Sequence, residues 1–245
     1  MESVKVEALK KVKIKSAVCS AVIVAAGDSV RMGEIDKIFV PVDSVPLIVR
    51  TMSAFEECEL IGEIVIVVRQ EKLEELRRIC GEYKLKKVSV IVAGGDKRME
   101  SAAYGVFSAS KKFPLIAVHD GARPFVTVEL IEKVIKKAAE RFAAIPAVKA
   151  GSTLKEVKNG VVVSTLDREN IYEIQTPQVF LAEVIKAALH RGLRGSDELT
   201  DESMALEAIG FPVHIVDGEK SNIKITTPED LKLAEAIILS GKIVL

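Results

Sequence analysis

Tryptophan is absent from these 245 residues, and aromatic side chains make up only 4%. That disfavours the stacked platforms on which single-stranded nucleic acid is bound. Neither sign of charge is in excess: Lys+Arg and Asp+Glu are both 35, so the formal net charge is zero. No overall basic field attracts nucleic acid or an anionic membrane, and any anion site must be local. No run of about 18 apolar residues occurs, so no membrane-spanning helix is expected. The opening "MESVKVEALKKVKIKS" is basic but has no continuous apolar stretch, which argues against a secretory signal. Only three cysteines are present, Cys19, Cys58 and Cys80, without CxxC or Cys/His metal spacing. An odd count of scattered thiols fits a reducing cytoplasm better than a disulfide framework. Cys19 and Cys80 stand in or beside apolar runs and are expected as core thiols.

Two glycine motifs are also missing. The first apolar run empties into "AAGDSVRMGEIDKIFVP" (25–41). The dinucleotide fingerprint G-x-G-x-x-G fails there, because Asp28 and Ser29 follow Gly27. The G-x-x-x-x-G-K-[ST] loop fails too: Gly27 and Gly33 are one residue too far apart, and Glu34 comes next. A nicotinamide-dependent dehydrogenase is thereby disfavoured.

What the chain does have is 49% hydrophobic and 29% charged residues, enough for a sizeable core in one large α/β domain. The expected division is an N-terminal extension over 1–18 and one domain over 19–245. No internal repeat or low-complexity linker interrupts it. The extension is either an added element packed on the domain or a frayed end. Near-continuous apolar runs at 21–26, 63–68, 87–92, 114–120, 143–148 and 212–217 predict strands covered on both faces. Between them lie helical patterns over Leu47–Cys58, Glu71–Tyr83, Arg98–Ser110, Val128–Phe142, Leu181–Arg191, Asp201–Ile209 and Pro228–Leu239. The last has Thr227 as N-cap, Pro228 in the first position and acids in the first turn. "KKAAER" (136–141) is expected to be a solvated helix face.

This alternation predicts a mostly parallel, doubly wound sheet, with ligands bound beyond the carboxyl ends of its strands. Gly27–Pro41, Gly94–Ser101 and His119–Phe125 would then share one edge. One stretch breaks the alternation: residues 151–170 read as a hairpin turning at Asn159-Gly160. A lone two-stranded ribbon is marginal in water, so it should lean on something else, such as a second subunit.

The 25–41 turn is either a plain solvated turn or a phosphate loop. Gly27 permits close backbone approach, successive N–H groups can form an anion nest, and Arg31 and Lys37 add donors suited to phosphate oxygens. Asp28, Glu34 and Asp36 dilute the charge.

Seven pieces now carry a resemblance: "AAGDSVRMG", "DKIF", "VAGGDKRMES", "VHDGARPF", "TLDRENIYEIQTPQVF", "LTDESMALE" and "NIKITTPEDL". Their order and spacing, over Ala21 to Ala236, resemble the 2-C-methyl-D-erythritol 4-phosphate cytidylyltransferase family. Several are shared with the sister ribitol-5-phosphate cytidylyltransferases. The resemblance implies a Rossmann-like nucleotidyltransferase fold with helices on both faces of the sheet and a protruding hairpin arm at about 150–170. The arm would interlock a homodimer. It implies cytidylyl transfer from CTP to a polyol phosphate, with Mg²⁺ and release of pyrophosphate, in isoprenoid precursor synthesis. The chain departs from the usual pattern at Ser29, where a second glycine is usual, and at Asp36-Lys37-Ile38-Phe39, where P-K-Q-F is usual. Reduced activity, a loop ordered only by nucleotide, or a nucleotide-binding protein without catalysis are what those departures would imply.

By resemblance, Arg31 and Lys37 stabilise the pentavalent α-phosphate, and Arg168 and Lys224 position the acceptor phosphate. Asp120 sits near Mg²⁺ and the sugars. Arg123 and Thr153 contact the acceptor, Thr153 in the partner's site, and Thr200 and Asp201 border that pocket. Gly95, Asp96, Arg98 and Ser101 meet the cytosine end, and Ala25, Ala26 and Gly27 line the nucleotide. The plainer alternatives are a surface lysine at 224, an Asp167–Arg168 surface pair, an Asp120–Arg123 loop brace and a helix-lining Ser101. The acceptor phosphate monoester has a second pKa near 6 and is largely dianionic at neutral pH. No general base is required, so His119 is expected to be structural. His190 and His214 have no partner pattern.

Overall fold

The computed structural model describes residues 12–13, 17–27, 36–193 and 199–239. The elements follow in order as β1 (Cys19–Val24), β2 (Pro41–Val42), β3 (Val45–Pro46), α1 (Leu47–Glu57), β4 (Ile61–Val68), α2 (Leu73–Glu82), β5 (Val88–Ala93), α3 (Arg98–Ser108), β6 (Leu115–Asp120), α4 (Val128–Arg141) and β7 (Ala143–Lys149). Then come β8 (Lys155–Lys158), β9 (Val161–Thr165), β10 (Tyr172–Ile174), β11 (Gln178–Leu181), α5 (Ala182–Gly192), α6 (Glu202–Glu207), β12 (His214–Asp217) and α7 (Pro228–Leu239). All six expected strands and all seven expected helices are present, with ends shifted by a few residues.

The central sheet has eight strands, in the order β10-β7-β11-β6-β1-β4-β5, with β12 also on β7. β1 is parallel to β4 and β6, β4 to β5, and β12 to β7. β10 and β11 run antiparallel to their neighbours. Within the central sheet these two short strands are the ones that apolar runs did not predict; β2 and β3, outside it, were not predicted either. Buried Gln175, Thr176 and Gln178 break the hydrophobic pattern from the end of β10 into β11.

Every residue of β1 is buried, on both alternating sets of side chains, so both faces of the sheet are covered. α3 makes the closest approach. A Cβ at its Gly105 would lie 2.3 Å from Val22 Cγ1 and 2.8 Å from Val67 Cγ2. Glycine costs a helix interior about 1 kcal/mol relative to alanine; here it lets the backbone of α3 rest directly on β1 and β4. Of the cysteines, Cys19 and Cys58 are buried and Cys80 is half-buried, all as free thiols. Burial pushes all three thiols up, Cys80 to about 11.

The predicted turn is present between β8 and β9. Asn159 and Gly160 have φ of 51° and 77°, the two positive angles that a type I′ hairpin requires. Among the described residues this ribbon pairs only with itself. Val157, Val161, Val162 and Val163 on it are each more than half exposed. Most of the expected N-terminal extension lies outside the described residues, although the Val12 N–H donates to the Ala139 carbonyl at 2.9 Å. Among the described residues no helix is long and apolar enough to cross a membrane.

Candidate active site

The carboxyl ends of β1, β4, β5 and β6 are stitched together beyond the regular ladder. The N–H groups of Ala25, Gly94 and Gly121 donate to the carbonyls of Val67, Val68 and Val24, at 2.7, 2.8 and 2.8 Å. The crowding is severe at Gly94, where a Cβ would stand 2.3 Å from Ala26 Cβ. Glycine there allows the β5 loop to lie against the β1 loop. Gly94 thus stands at the expected edge, beside Gly95, to which the resemblance gives the nucleotide contact.

A cleft of about 370 Å³ opens between these loops, lined by Ala26, Gly27, Gly95, Asp96, Arg98 and Ser101 among others. Six of the seven residues expected at the nucleotide therefore share one cleft. The seventh, Ala25, is buried and packs beneath Gly121. An added Cβ at Gly27 would meet no atom of the described residues. Ser101 both lines the cleft and accepts the Gly95 N–H at 3.1 Å, so its structural and binding readings coexist.

Beside it lies a second cleft of about 240 Å³, whose lining includes Arg98, Asp120, Arg123, Thr200, Asp201 and Lys224. Arg98 belongs to both walls. Asp120, at the end of β6, is the hub. Its Oδ1 accepts from Arg98 Nη2 at 3.0 Å and Nε at 3.2 Å, and Lys224 Nζ is 2.7 Å from Oδ2. Arg123 Nε is 3.7 Å from the same Oδ2, so the expected Asp120–Arg123 brace is the weakest of the three pairs. Burial alone would raise the Asp120 pKa, but Arg98 and then Lys224 hold it well below the usual carboxylate range. Arg123 donates instead to the Asn222 carbonyl at 2.7 Å, and burial lowers its pKa despite Asp120.

Lys224 is not an ordinary surface lysine. The strap that carries it is tied down by the Ile225 N–H, which donates to the Ala122 carbonyl at 2.8 Å. Ile225 also joins a small core with Val42, Leu47, Phe125 and Ala234. The helix after the strap is capped as expected: Asp230 Oδ2 accepts the Thr227 N–H at 2.9 Å, and Thr227 Oγ1 accepts the Asp230 N–H at 3.4 Å.

His119 is buried, as the structural reading required. The Arg123 carbonyl beside Nε2 can only accept, so Nδ1 is the acceptor of the neutral ring, and Thr176 Oγ1, which accepts the Asp120 N–H at 3.1 Å, turns its own hydrogen to Nδ1 at 3.0 Å. The ring proton is thus assigned to Nε2, which donates to the Arg123 carbonyl at 3.2 Å. Burial lowers the His119 pKa to about 3, and the ring is neutral at physiological pH.

Arg31 and Ser29 lie outside the described residues. Lys37 opens a turn in which the Phe39 N–H donates to the Asp36 carbonyl at 3.0 Å. Asp36, at the usual proline position, pairs with Arg69 on the wall of the larger cleft. That departure therefore supplies a tether for the lysine turn. Asp201 is the N-cap of α6, accepting the Met204 N–H at 2.9 Å, and Gln178 Nε2 donates to it at 2.9 Å. Thr153 and Arg168 are exposed and belong to neither cleft described above. Arg168 donates to the Gly151 carbonyl at 3.1 Å rather than pairing with Asp167, which instead accepts the Glu169 N–H at 3.1 Å.

Among the described residues no group of three or more His, Cys, Asp or Glu side chains converges. Asp120 is the one candidate metal ligand from the sequence. Its oxygens already face Arg98 and Lys224, so it could offer a magnesium ion at most one ligand, the rest coming from substrate phosphates and water.

A glycine-lined cleft and a cation-rich hub at the carboxyl edge of a mostly parallel sheet define a nucleotide-handling α/β transferase. The 2-C-methyl-D-erythritol 4-phosphate cytidylyltransferase (IspD) profile matches residues 19–240. The chain belongs to this family. It is 39% identical over 222 residues to the 2-C-methyl-D-erythritol 4-phosphate cytidylyltransferase of Alkaliphilus oremlandii, covering 89% of this chain and 94% of that one. Over 222 residues it is 37% identical to the Geobacillus kaustophilus protein of the same name, covering 90% and 96%. The crystal structure of 4-diphosphocytidyl-2C-methyl-D-erythritol synthase from Anaerococcus prevotii superposes with a TM-score of 0.81 at 31% identity, covering 91% and 96%.

Proposed function

We propose that the protein transfers the cytidylyl group of CTP to 2-C-methyl-D-erythritol 4-phosphate, giving 4-diphosphocytidyl-2-C-methyl-D-erythritol and pyrophosphate for isoprenoid precursors. The observation that carries this reading is the family match over residues 19–240. The two adjoining clefts that share Arg98 are consistent with it.

The chemistry follows from charge. The attacking phosphate monoester is already largely dianionic near neutral pH, so no side chain need remove a proton. His119 is neutral with both ring nitrogens engaged, and Asp120 is held ionised. The obstacle is repulsion between two anions, which fixed cations offset most where charge builds in the transition state. Arg31 and Lys37 are assigned to the α-phosphate, and Lys224 to the acceptor phosphate. Arg98, Ser101, Gly95 and Asp96 are assigned to the nucleoside end, with Arg123, Thr200 and Asp201 around the acceptor. Asp120 would hold Mg²⁺, which when bound supplies further charge neutralisation on the triphosphate.

The exposed valines of the β8–β9 ribbon support a homodimer in which each arm reaches the other subunit, bringing Thr153 and Arg168 to its acceptor. Three free thiols support a reducing, cytoplasmic setting. The test is CTP with Mg²⁺ and each polyol phosphate, measuring pyrophosphate release. Turnover of methylerythritol phosphate well above ribitol 5-phosphate is expected. Preference for ribitol 5-phosphate, or CTP binding without turnover, would overturn the reading.

A further inference from the structure

Glu202, which the sequence reading passed over, is a carboxylate with no exposed surface, at the wall between the two clefts. Its Oε1 accepts from Arg98 Nη1 at 2.9 Å and its Oε2 from Arg98 Nη2 at 3.3 Å. The two residues are 104 positions apart, at the first turns of α6 and α3. Arg98 therefore has its Nε and Nη2 edge on Asp120 and its Nη1 and Nη2 edge on Glu202. Two acids on opposite sides leave a guanidinium little freedom to rotate or withdraw.

The placement of Glu202 is itself fixed. Gln178 Oε1 accepts the Ser203 N–H at 3.0 Å while its Nε2 holds the cap residue Asp201. Gln178 is buried on β11, next to β6, so the turn that delivers Glu202 is anchored to the sheet. Thr200 and Asp201, immediately before it, line the smaller cleft. A buried acid whose partner lines both clefts ties the acceptor-side turn to the nucleotide-side arginine.

We propose that Glu202 is a positioning residue for the transfer reaction, acting through Arg98 to hold its guanidinium where the two clefts meet. The inference rests on the cytidylyl-transfer reading. Glu202 itself lines neither cleft, so its influence on substrate passes through Arg98. When its charge is lost, Arg98 is held by Asp120 alone and turns toward it, away from the nucleoside side. A displacement of about 1 Å in a positioning group can cost up to about 100-fold in rate.

The test is a kinetic cycle of wild type, Glu202→Gln, Arg98→Gln and the double variant. Each is checked for folding by circular dichroism and assayed for kcat, for KM of CTP and for CTP affinity by calorimetry. Glu202→Gln should lower kcat/KM by about 10- to 100-fold, mainly through a raised KM for CTP, with CTP affinity weakened in parallel. The double variant should be no worse than Arg98→Gln alone, within about twofold, because a residue acting only through Arg98 has nothing left to position. Glu202→Asp, which keeps the charge, should recover part of the loss. Wild-type kinetics in Glu202→Gln, or losses that multiply in the double variant, would overturn the inference. If Glu202→Gln does not fold, Glu202→Asp with Arg98→Lys forms the cycle and is read by the same criterion. A wild-type protein that binds CTP but releases no pyrophosphate would overturn the functional reading instead. The affinities would then decide the Glu202–Arg98 link by the same non-additivity.

Discussion

The hub at Asp120 and the ribbon at 155–165 are opposites within one chain. At the hub, residues from α3, β6, α6 and the strap before α7 converge through charge-assisted hydrogen bonds, with Asp120, Glu202 and His119 buried. On the ribbon, two short strands hold only each other among the described residues, and their valines face outward. The hub is complete within one chain, and each of its acids is answered. The ribbon is locally well formed yet leaves apolar surface uncovered. Where function needs fixed charges, the fold spends buried polar contacts. Where it leaves apolar side chains in water, the exposed patch supports the homodimer contact proposed above.

The strongest way to break this contrast is to remove a hub cation. Lys224→Ala should lower kcat by about 10²–10³-fold. Its melting temperature should fall only modestly, because buried Asp120 loses its Oδ2 partner but keeps Arg98. A large fall in melting temperature with small kinetic loss would make Lys224 structural. On the ribbon the pattern should reverse. Val162→Asp should turn a dimer into a monomer by light scattering while circular dichroism stays unchanged. Mixing Thr153→Ala subunits with Lys37→Ala subunits should then restore up to about a quarter of wild-type activity, because each mixed dimer has one intact site of two. No rescue would place Thr153 outside the partner's site.

pH also separates the two regions. His119 has its folded-state pKa lowered to about 3 by burial, against about 6.5 unfolded. Between those values the unfolded chain binds a proton that the folded chain does not. Stability therefore falls as pH drops from about 6.5 toward 3, by up to about 1.4 kcal/mol per pH unit. His119→Gln should flatten that slope, and melting curves across this range would show it. An unchanged slope would mean that other groups carry it. The smallest expected effect is at the lysine turn. Asp36→Asn breaks a partly exposed ion pair with Arg69, worth about 0.2–1 kcal/mol. The KM for CTP should rise by no more than about fivefold.

The strands and helices were legible because long apolar runs and capping residues are local signals, as at β1 and at Thr227-Pro228. β10 and β11 were not: β10 is three exposed residues, and β11 is four residues opening on a buried Gln178 that serves hydrogen bonds rather than the apolar core. Within the site, the resemblance named Arg98, Asp120, Arg123 and Lys224 in separate roles, and the structure gathers them around one carboxylate. The resemblance did not show that Arg98 and Lys224, rather than Arg123, hold Asp120. Glu202 went unnoticed because an acid one residue after an N-cap reads as a helix-dipole complement. Its real partner is 104 residues away, a distance that no local pattern spans. Cys58 was missed as a core thiol because its immediate neighbours Glu56, Glu57 and Glu59 are acidic.

Replacing helical glycines with alanine is a favoured route to heat resistance. For α3 that route is closed. A methyl group at Gly105 would need the space that Val22 and Val67 already fill, so the helix would have to lift from the sheet. The same rod carries Arg98 at its first position, so a methyl placed about two turns away would be felt as a shift of the guanidinium. An engineer seeking a hardier enzyme should expect that one change to trade turnover for nothing.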